Sequence, residues 1–202
     1  ATTTPQLSQI ETKLNSNGKP IANSGESLNN FWNWFGDSKV IDKQGRPLVV
    51  YHGTNANIEE FDLRNGAIYL TASAEYAGKY ANGASRGAIR SGETKPGANV
   101  IPVYAVLNNP YITSKGTEAH FLTPAKVAKL VAQGYDGILY STTYDMPGVT
   151  PGDATKASEI VVFKPNQIKS AIGNIGEFSP SSSSLLLSKG NPQPTPQDRA
   201  IA

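Results

Sequence analysis

Cysteine is missing from this 202-residue chain altogether. Its absence removes disulfides, thiolate nucleophiles and thiolate metal sites together. Histidine is nearly as scarce, with only His52 and His120, which argues against a multi-histidine metal centre. Charge of one sign is lacking too: 18 Lys+Arg against 16 Asp+Glu leave a formal net charge of +2. That balance gives no hint of the dense basic face that nucleic-acid-binding domains carry. No apolar run approaches the roughly 18–20 residues needed to span a bilayer as a helix. The opening residues 1–9 are polar and carry no basic-then-apolar leader pattern. The single methionine is Met146, and the chain does not begin with one; this fits a processed product or a piece of a longer protein. Chemistry in such a chain falls to carboxylates, hydroxyls, tyrosines and a single well-placed imidazole.

The length suits one domain with its own core, plus flanks. Residues 1–26 are rich in Thr, Ser, Asn and Gln and are expected to form a flexible lead-in, with a short helix around Leu7 to Leu14. Residues 179–202 open on Ser179-Pro180-Ser181 and carry a Pro-rich end, so they are expected to be a disordered tail. The folded unit is then 27–178. Within it, Ser27 is expected to cap a helix that presents Leu28, Phe31 and Phe35 on one face and stops at Gly36. Strands are expected at Pro47–Tyr51, Ala67–Leu70, Val100–Leu107, Gly137–Tyr140 and Glu159–Phe163. Helices are expected at Ser73–Ala81 and after the Thr123-Pro124 pair, the latter ending at Gly134. Two Gly-containing loops, 82–98 and 141–157, separate these elements. Strands dominate and the βαβ rhythm of a parallel nucleotide-binding sheet is missing. The expected class is α+β with largely antiparallel sheets.

Three places put a reactive side chain on or beside a buried strand. The apolar run Val49-Val50-Tyr51 ends at His52, and Gly53 then lets the backbone turn or approach a ligand. The strand Ile68-Tyr69-Leu70 is followed, eleven positions after Tyr69, by Tyr80. Glu159 stands at the mouth of Ile160-Val161-Val162-Phe163. Each has a plainer reading by itself: a hydrogen-bonded strand-end histidine, a core tyrosine, a solvated edge carboxylate. Their order along the chain raises the functional reading above these.

The sequence resembles the ADP-ribosyltransferases of the His-Tyr-Glu type, the group of diphtheria-like toxins and poly-ADP-ribose polymerases. His52-Gly53-Thr54 looks like the first motif; Ile68-Tyr69-Leu70 with Ser73, Ala77 and Tyr80 looks like the second; and Glu159 opening a β-branched strand looks like the third. Phe35-Gly36-Asp37-Ser38-Lys39-Val40 and Pro165-Asn166-Gln167-Ile168-Lys169-Ser170-Ala171 add similarity to the domains of this kind in polyvalent proteins of phages and mobile elements. The resemblance runs from about Phe31 to Phe178. It implies two largely antiparallel sheets that form an NAD cleft, with a few flanking helices, and NAD as co-substrate without a metal.

The resemblance also assigns roles. Glu159, His52 and Tyr69 would be catalytic, with Glu159 stabilising positive charge on the ribose by way of its 2′-hydroxyl. His52, Gly53, Thr54, Tyr69, Tyr80 and Ser73 would hold NAD: His52 and Thr54 at the adenosine-side ribose, Gly53 at the carboxamide, and the two tyrosines on the nicotinamide faces. Ala77 departs from the serine that polymerase-type members carry, so Ser73 is left to supply that contact. Ala157 is neither Gln nor Glu, which disfavours an arginine acceptor. Tyr144, Asp145 and Lys156 are candidates to read the acceptor, with an ordinary solvated loop as the plainer reading. Arg86 and Arg90 are candidates for the pyrophosphate, with mobile surface charge as the plainer one. The implied function is transfer of ADP-ribose to a macromolecule, protein ahead of nucleic acid, by a monomer or a part of a larger protein, with no membrane partner. Its implied place is the cytoplasm, including that of a host cell after secretion or injection. NAD glycohydrolysis and a non-catalytic module of a phage protein stay open as alternatives. An RNA 2′-phosphotransferase ranks lower, because Tyr69 stands where that family's Arg- and His-containing motif belongs.

Overall fold

The computed structural model describes residues 13–56, 58–61, 63, 66–82, 98–174 and 176–186. Seven strands divide between two sheets. The first orders β1 (Val50–Thr54), β3 (Asn99–Ala105) and β7 (Ile168–Ser170) as β1-β3-β7, antiparallel throughout. The second orders β2 (Ile68–Leu70), β6 (Glu159–Val162), β5 (Gly137–Tyr140) and β4 (Pro110–Thr113) as β2-β6-β5-β4. Only the β4–β5 pair of this sheet is parallel. The class is α+β with largely antiparallel sheets, as the pattern of the sequence implies.

Side-chain alternation along the strands builds three apolar layers. Val50, Val103 and Ile168 of the first sheet meet Leu70, Leu139, Ile160 and Val162 of the second to make the central core. On the outer face of the first sheet, Val49 and Tyr104 pack with Phe31, Trp34 and Phe35 of helix α1 (Gly25–Phe35). On the outer face of the second, Ile138, Tyr140 and Val161 pack with Ala119 of the short helix α3 (Gly116–Ala119) and Val127 of α4 (Pro124–Ala132). Helix α2 (Ala74–Ala81) lies against β1 and β3.

Several boundaries differ from the sequence expectation, each for a local reason. Helix α1 is capped by Ser24, whose side chain accepts from Ser27 N, so it starts a turn earlier than a Ser27 cap would place it. Such a cap contributes about 1 kcal/mol. Pro47 and Leu48 pair with Ile41 and Val40 in a tight hairpin, and β1 proper begins at Val50. Strands β4 and β7 and helix α3 are additions.

The flanks are built into the domain further than their composition suggests. Asn15 is buried and donates to the Tyr104 hydroxyl at 2.9 Å, Ser16 Oγ accepts from Val49 N, and Ile21 joins the α1 layer. Past residue 178, Leu185 is buried in the central core and exchanges backbone hydrogen bonds with Ser170 and Glu59. The ammonium of buried Lys169 donates to the carbonyls of Ser182 and Ser184, at 2.6 and 3.1 Å. Polar side chains and backbone groups dock these segments, so hydrophobicity alone underrates them. The remainder of the expected tail and residues 7–12 of the expected first helix lie outside the described residues.

Candidate active site

The two sheets meet at Tyr51 and Thr71, which bond each other's backbone at 2.8 and 3.0 Å. This bridge places β1 of one sheet beside β2 of the other, and a cavity of about 560 Å³ opens next to it. His52, Gly53, Tyr69, Tyr80 and Glu159 all lie on its wall. Residues separated by up to 107 positions in the sequence are thus gathered at one opening.

His52 shares the face of β1 that carries Val50, so its ring enters the seam between the sheets. Its Nδ1 lies 3.0 Å from the Tyr69 carbonyl, and its ring meets Phe61 edge-on at 4.8 Å. Burial lowers its pKa from 6.5, against a smaller upward pull from the Tyr69 carbonyl. The carbonyl contact favours Nδ1–H, which leaves Nε2 as an acceptor.

Gly53 has a packing reason to be glycine. A Cβ there would collide with the Ala77 carbonyl in α2, so helix and strand backbones approach at van der Waals distance. This close approach fixes α2 over β1 and thereby fixes Tyr76 and Tyr80, whose hydroxyls lie 3.2 Å apart and whose rings meet at 5.2 Å and 83°. Tyr69 points to the outer face of its sheet, where its hydroxyl donates to the Ala119 carbonyl at 3.2 Å. Its ring is therefore held from both ends, by strand and by α3.

Glu159 opens β6 opposite Tyr140, on the same outer face, and its side chain is only 7% exposed. Its Oε2 is 2.9 Å from Nε2 of His120. It also borders a second cavity of about 650 Å³, lined among others by Lys79, Thr143, Thr155, Lys156 and His120. One carboxylate thus forms part of the wall of both cavities.

Two of the expected binders stand elsewhere. Thr54 lies at the end of β1 and its Oγ1 accepts from Ala56 N; it is not on the cavity wall. Ser73 is the N-cap of α2, accepts from Tyr76 N, and faces the second cavity. Of the loop candidates, Tyr144 is buried and donates to the Asp153 carbonyl at 3.0 Å, so it is a structural side chain. Asp145 accepts from Ser114, while Lys156 is on the second cavity. Ala157 is buried in the central core, which leaves no acceptor-reading side chain at that position. Arg86 and Arg90 lie outside the described residues.

Among the wall residues that the motifs leave unassigned are Tyr76 and Phe121 on the first cavity and His120 on the second. Tyr76 was visible as the i, i+4 partner of Tyr80. Phe121 projects 79% exposed at the rim with φ of 54°, a left-handed conformation that costs a bulky residue roughly 1–2 kcal/mol. Nothing in the local sequence marks it.

The family model for ADP-ribosyltransferases in polyvalent proteins matches residues 42–178, more than half of the chain. No curated protein and no solved structure matches it.

Proposed function

From the premise that the chain belongs to this ADP-ribosyltransferase family, we propose that it transfers ADP-ribose from NAD to a macromolecular acceptor, one unit at a time. The observation that carries the reading is the gathering of His52, Gly53, Tyr69, Tyr80 and Glu159 on one cavity of about 560 Å³. That volume lies in the range of small-molecule sites. Its aromatic walls suit a flat heterocycle, and a neutral His52 with a free acceptor nitrogen suits a ribose hydroxyl.

The chemistry follows from where charge develops. As the nicotinamide–ribose bond breaks, its electron pair goes to the ring nitrogen, which becomes neutral, and the ribose C1′ becomes positive. Glu159, buried and therefore acting through a low local dielectric, stabilises that charge through the ribose 2′-hydroxyl. The acceptor's nucleophilic atom then bonds C1′ and gives its proton to the carboxylate or to solvent. Tyr69 and Tyr80 hold the leaving ring in place; aromatic contacts of this kind contribute about 0.5–1.5 kcal/mol beyond buried area.

The second cavity lies on the acceptor's side of Glu159. Its hydroxyls and the exposed Lys156 suit a polar group on a protein surface, and the buried Ala157 speaks against a bidentate reading of arginine. The setting is the cytoplasm, that of the producing cell or of a host; among the described residues no helix is long and apolar enough to cross a membrane.

The test is Glu159→Ala. Transfer of label from NAD to lysate macromolecules should fall by about 10²–10³-fold, while calorimetry should still detect NAD binding. Full activity in the variant would end the assignment. Protease and nuclease treatment of the labelled product identifies the acceptor class. Free ADP-ribose without labelled macromolecule would mean that water is the acceptor.

A further inference from the structure

His120 has no part in the motifs that point to Glu159, yet its imidazole lies directly against that carboxylate. Nε2 of His120 lies 2.9 Å from Oε2 of Glu159, with the side chains 17% and 7% exposed. The imidazole is itself held on two sides. Its ring meets Tyr140 edge-on at 4.8 Å, and Gly116 lies so close that a Cβ there would stand 3.0 Å from Nδ1. The backbone N–H of His120 donates to the Gly116 carbonyl at 2.8 Å, which closes α3 under the ring. His120 reaches Glu159 from the second cavity and is not on the wall of the first.

We infer that His120 is a positioning residue for Glu159: its Nε2, 2.9 Å from Oε2, confines the carboxylate at the seam between the two cavities. The inference rests on the transfer reading given above. A glutamate side chain has three rotatable bonds, and ordering it only when substrate arrives would cost rotamer freedom at that moment. Pairing with an imidazole that is already fixed by Tyr140 and Gly116 sets the carboxylate in advance. The pair also carries a charge that depends on pH. With imidazolium it is neutral, and with neutral imidazole it is −1, which stabilises a cationic ribose better. Turnover therefore rises with pH as His120 loses its proton. The other titratable and charged groups around it are Tyr140 from β5, Tyr69 from β2 and Glu118 from α3, which is engaged with Thr113 and Tyr111. Across the second cavity stand Glu75, Tyr76 and Lys79 from α2, and Lys156.

Three measurements test this on the full chain. His120→Ala should lower kcat for NAD turnover about 10²-fold with KM for NAD nearly unchanged. His120→Gln should recover most of kcat, because its amide N–H reaches the place of Nε2, and should flatten the acid limb of the pH profile, because glutamine does not titrate. NMR of histidine labelled with nitrogen-15 should show the His120 titration midpoint falling in Glu159→Gln while that of His52 stays. A His120→Ala variant with wild-type kcat, a His120→Gln variant no better than alanine, or a His120 midpoint indifferent to Glu159→Gln would each overturn the inference. The NMR experiment needs no turnover, so a failure of the pairing and a failure of the transfer reading are told apart.

Discussion

The two cavities on either side of Glu159 are of similar size but are built in different ways. The first is walled by strand ends and a helix: His52 and Gly53 on β1, Tyr69 on β2, Tyr76 and Tyr80 on α2, with aromatic rings as its main surface. The second is walled largely by the loop 141–158 and by hydroxyl and charged side chains. A rigid aromatic wall suits a ligand of constant shape, and a polar loop wall suits a partner that differs from one protein to the next.

Breaking the rigid side should have the largest effect. Gly53→Ala drives a methyl into the Ala77 carbonyl, and both backbones belong to regular elements that cannot move alone. Overpacking of this kind costs about 1–3 kcal/mol, occasionally more. Denaturant unfolding should show a loss at the upper end of that range, and calorimetry a fall in NAD affinity of about tenfold or more. Unchanged stability with unchanged affinity would mean that the approach of α2 to β1 does not shape the cleft.

The loop side should respond more mildly. Lys156 is exposed on the second cavity, so Lys156→Ala should alter stability by no more than about 0.5 kcal/mol. Transfer to a macromolecule should drop several-fold, and NAD hydrolysis without acceptor should drop less. Equal losses in both reactions would erase the distinction between the cavities.

The same contrast governs how much could be read from the sequence. His52, Tyr69 and Glu159 lie on strands and Tyr80 on a helix that apolar runs and periodicity reveal, while the resemblance to the family is what singles out the side chains. Their meeting depends on the Tyr51–Thr71 bridge between sheets, which no local pattern encodes. His120 follows a four-residue helix and reaches Glu159 across 39 positions of chain, so it looked like any isolated histidine. Ser73 was left the carboxamide contact because Ala77 is not the family's serine, but its hydroxyl caps α2 instead. Strand β4 begins at Pro110 on a sheet edge, a place where proline is tolerated but where propensity argues against a strand. The docking of Leu185 was hidden by its serine-rich surroundings, because the groups that secure it include a buried ammonium and backbone carbonyls.

The smallest effect, and the sharpest divide between the cavities, concerns pH. Burial lowers the pKa of His52 below 6.5, so in the folded protein it stays neutral where an exposed histidine would begin to charge. NAD affinity measured by calorimetry should then be flat from about pH 8 down to about pH 6.5, even as turnover declines through His120. The sign for stability follows from the same shift. Below 6.5 the unfolded chain binds a proton at residue 52 that the folded chain resists, so stability is full above that pH and falls as pH drops towards the folded value. His52→Gln removes this titration, and its thermal midpoint should fall less than that of the wild type between pH 7 and pH 5.5. An NAD affinity that tracked turnover across the whole range would instead make the two cavities a single titrating unit.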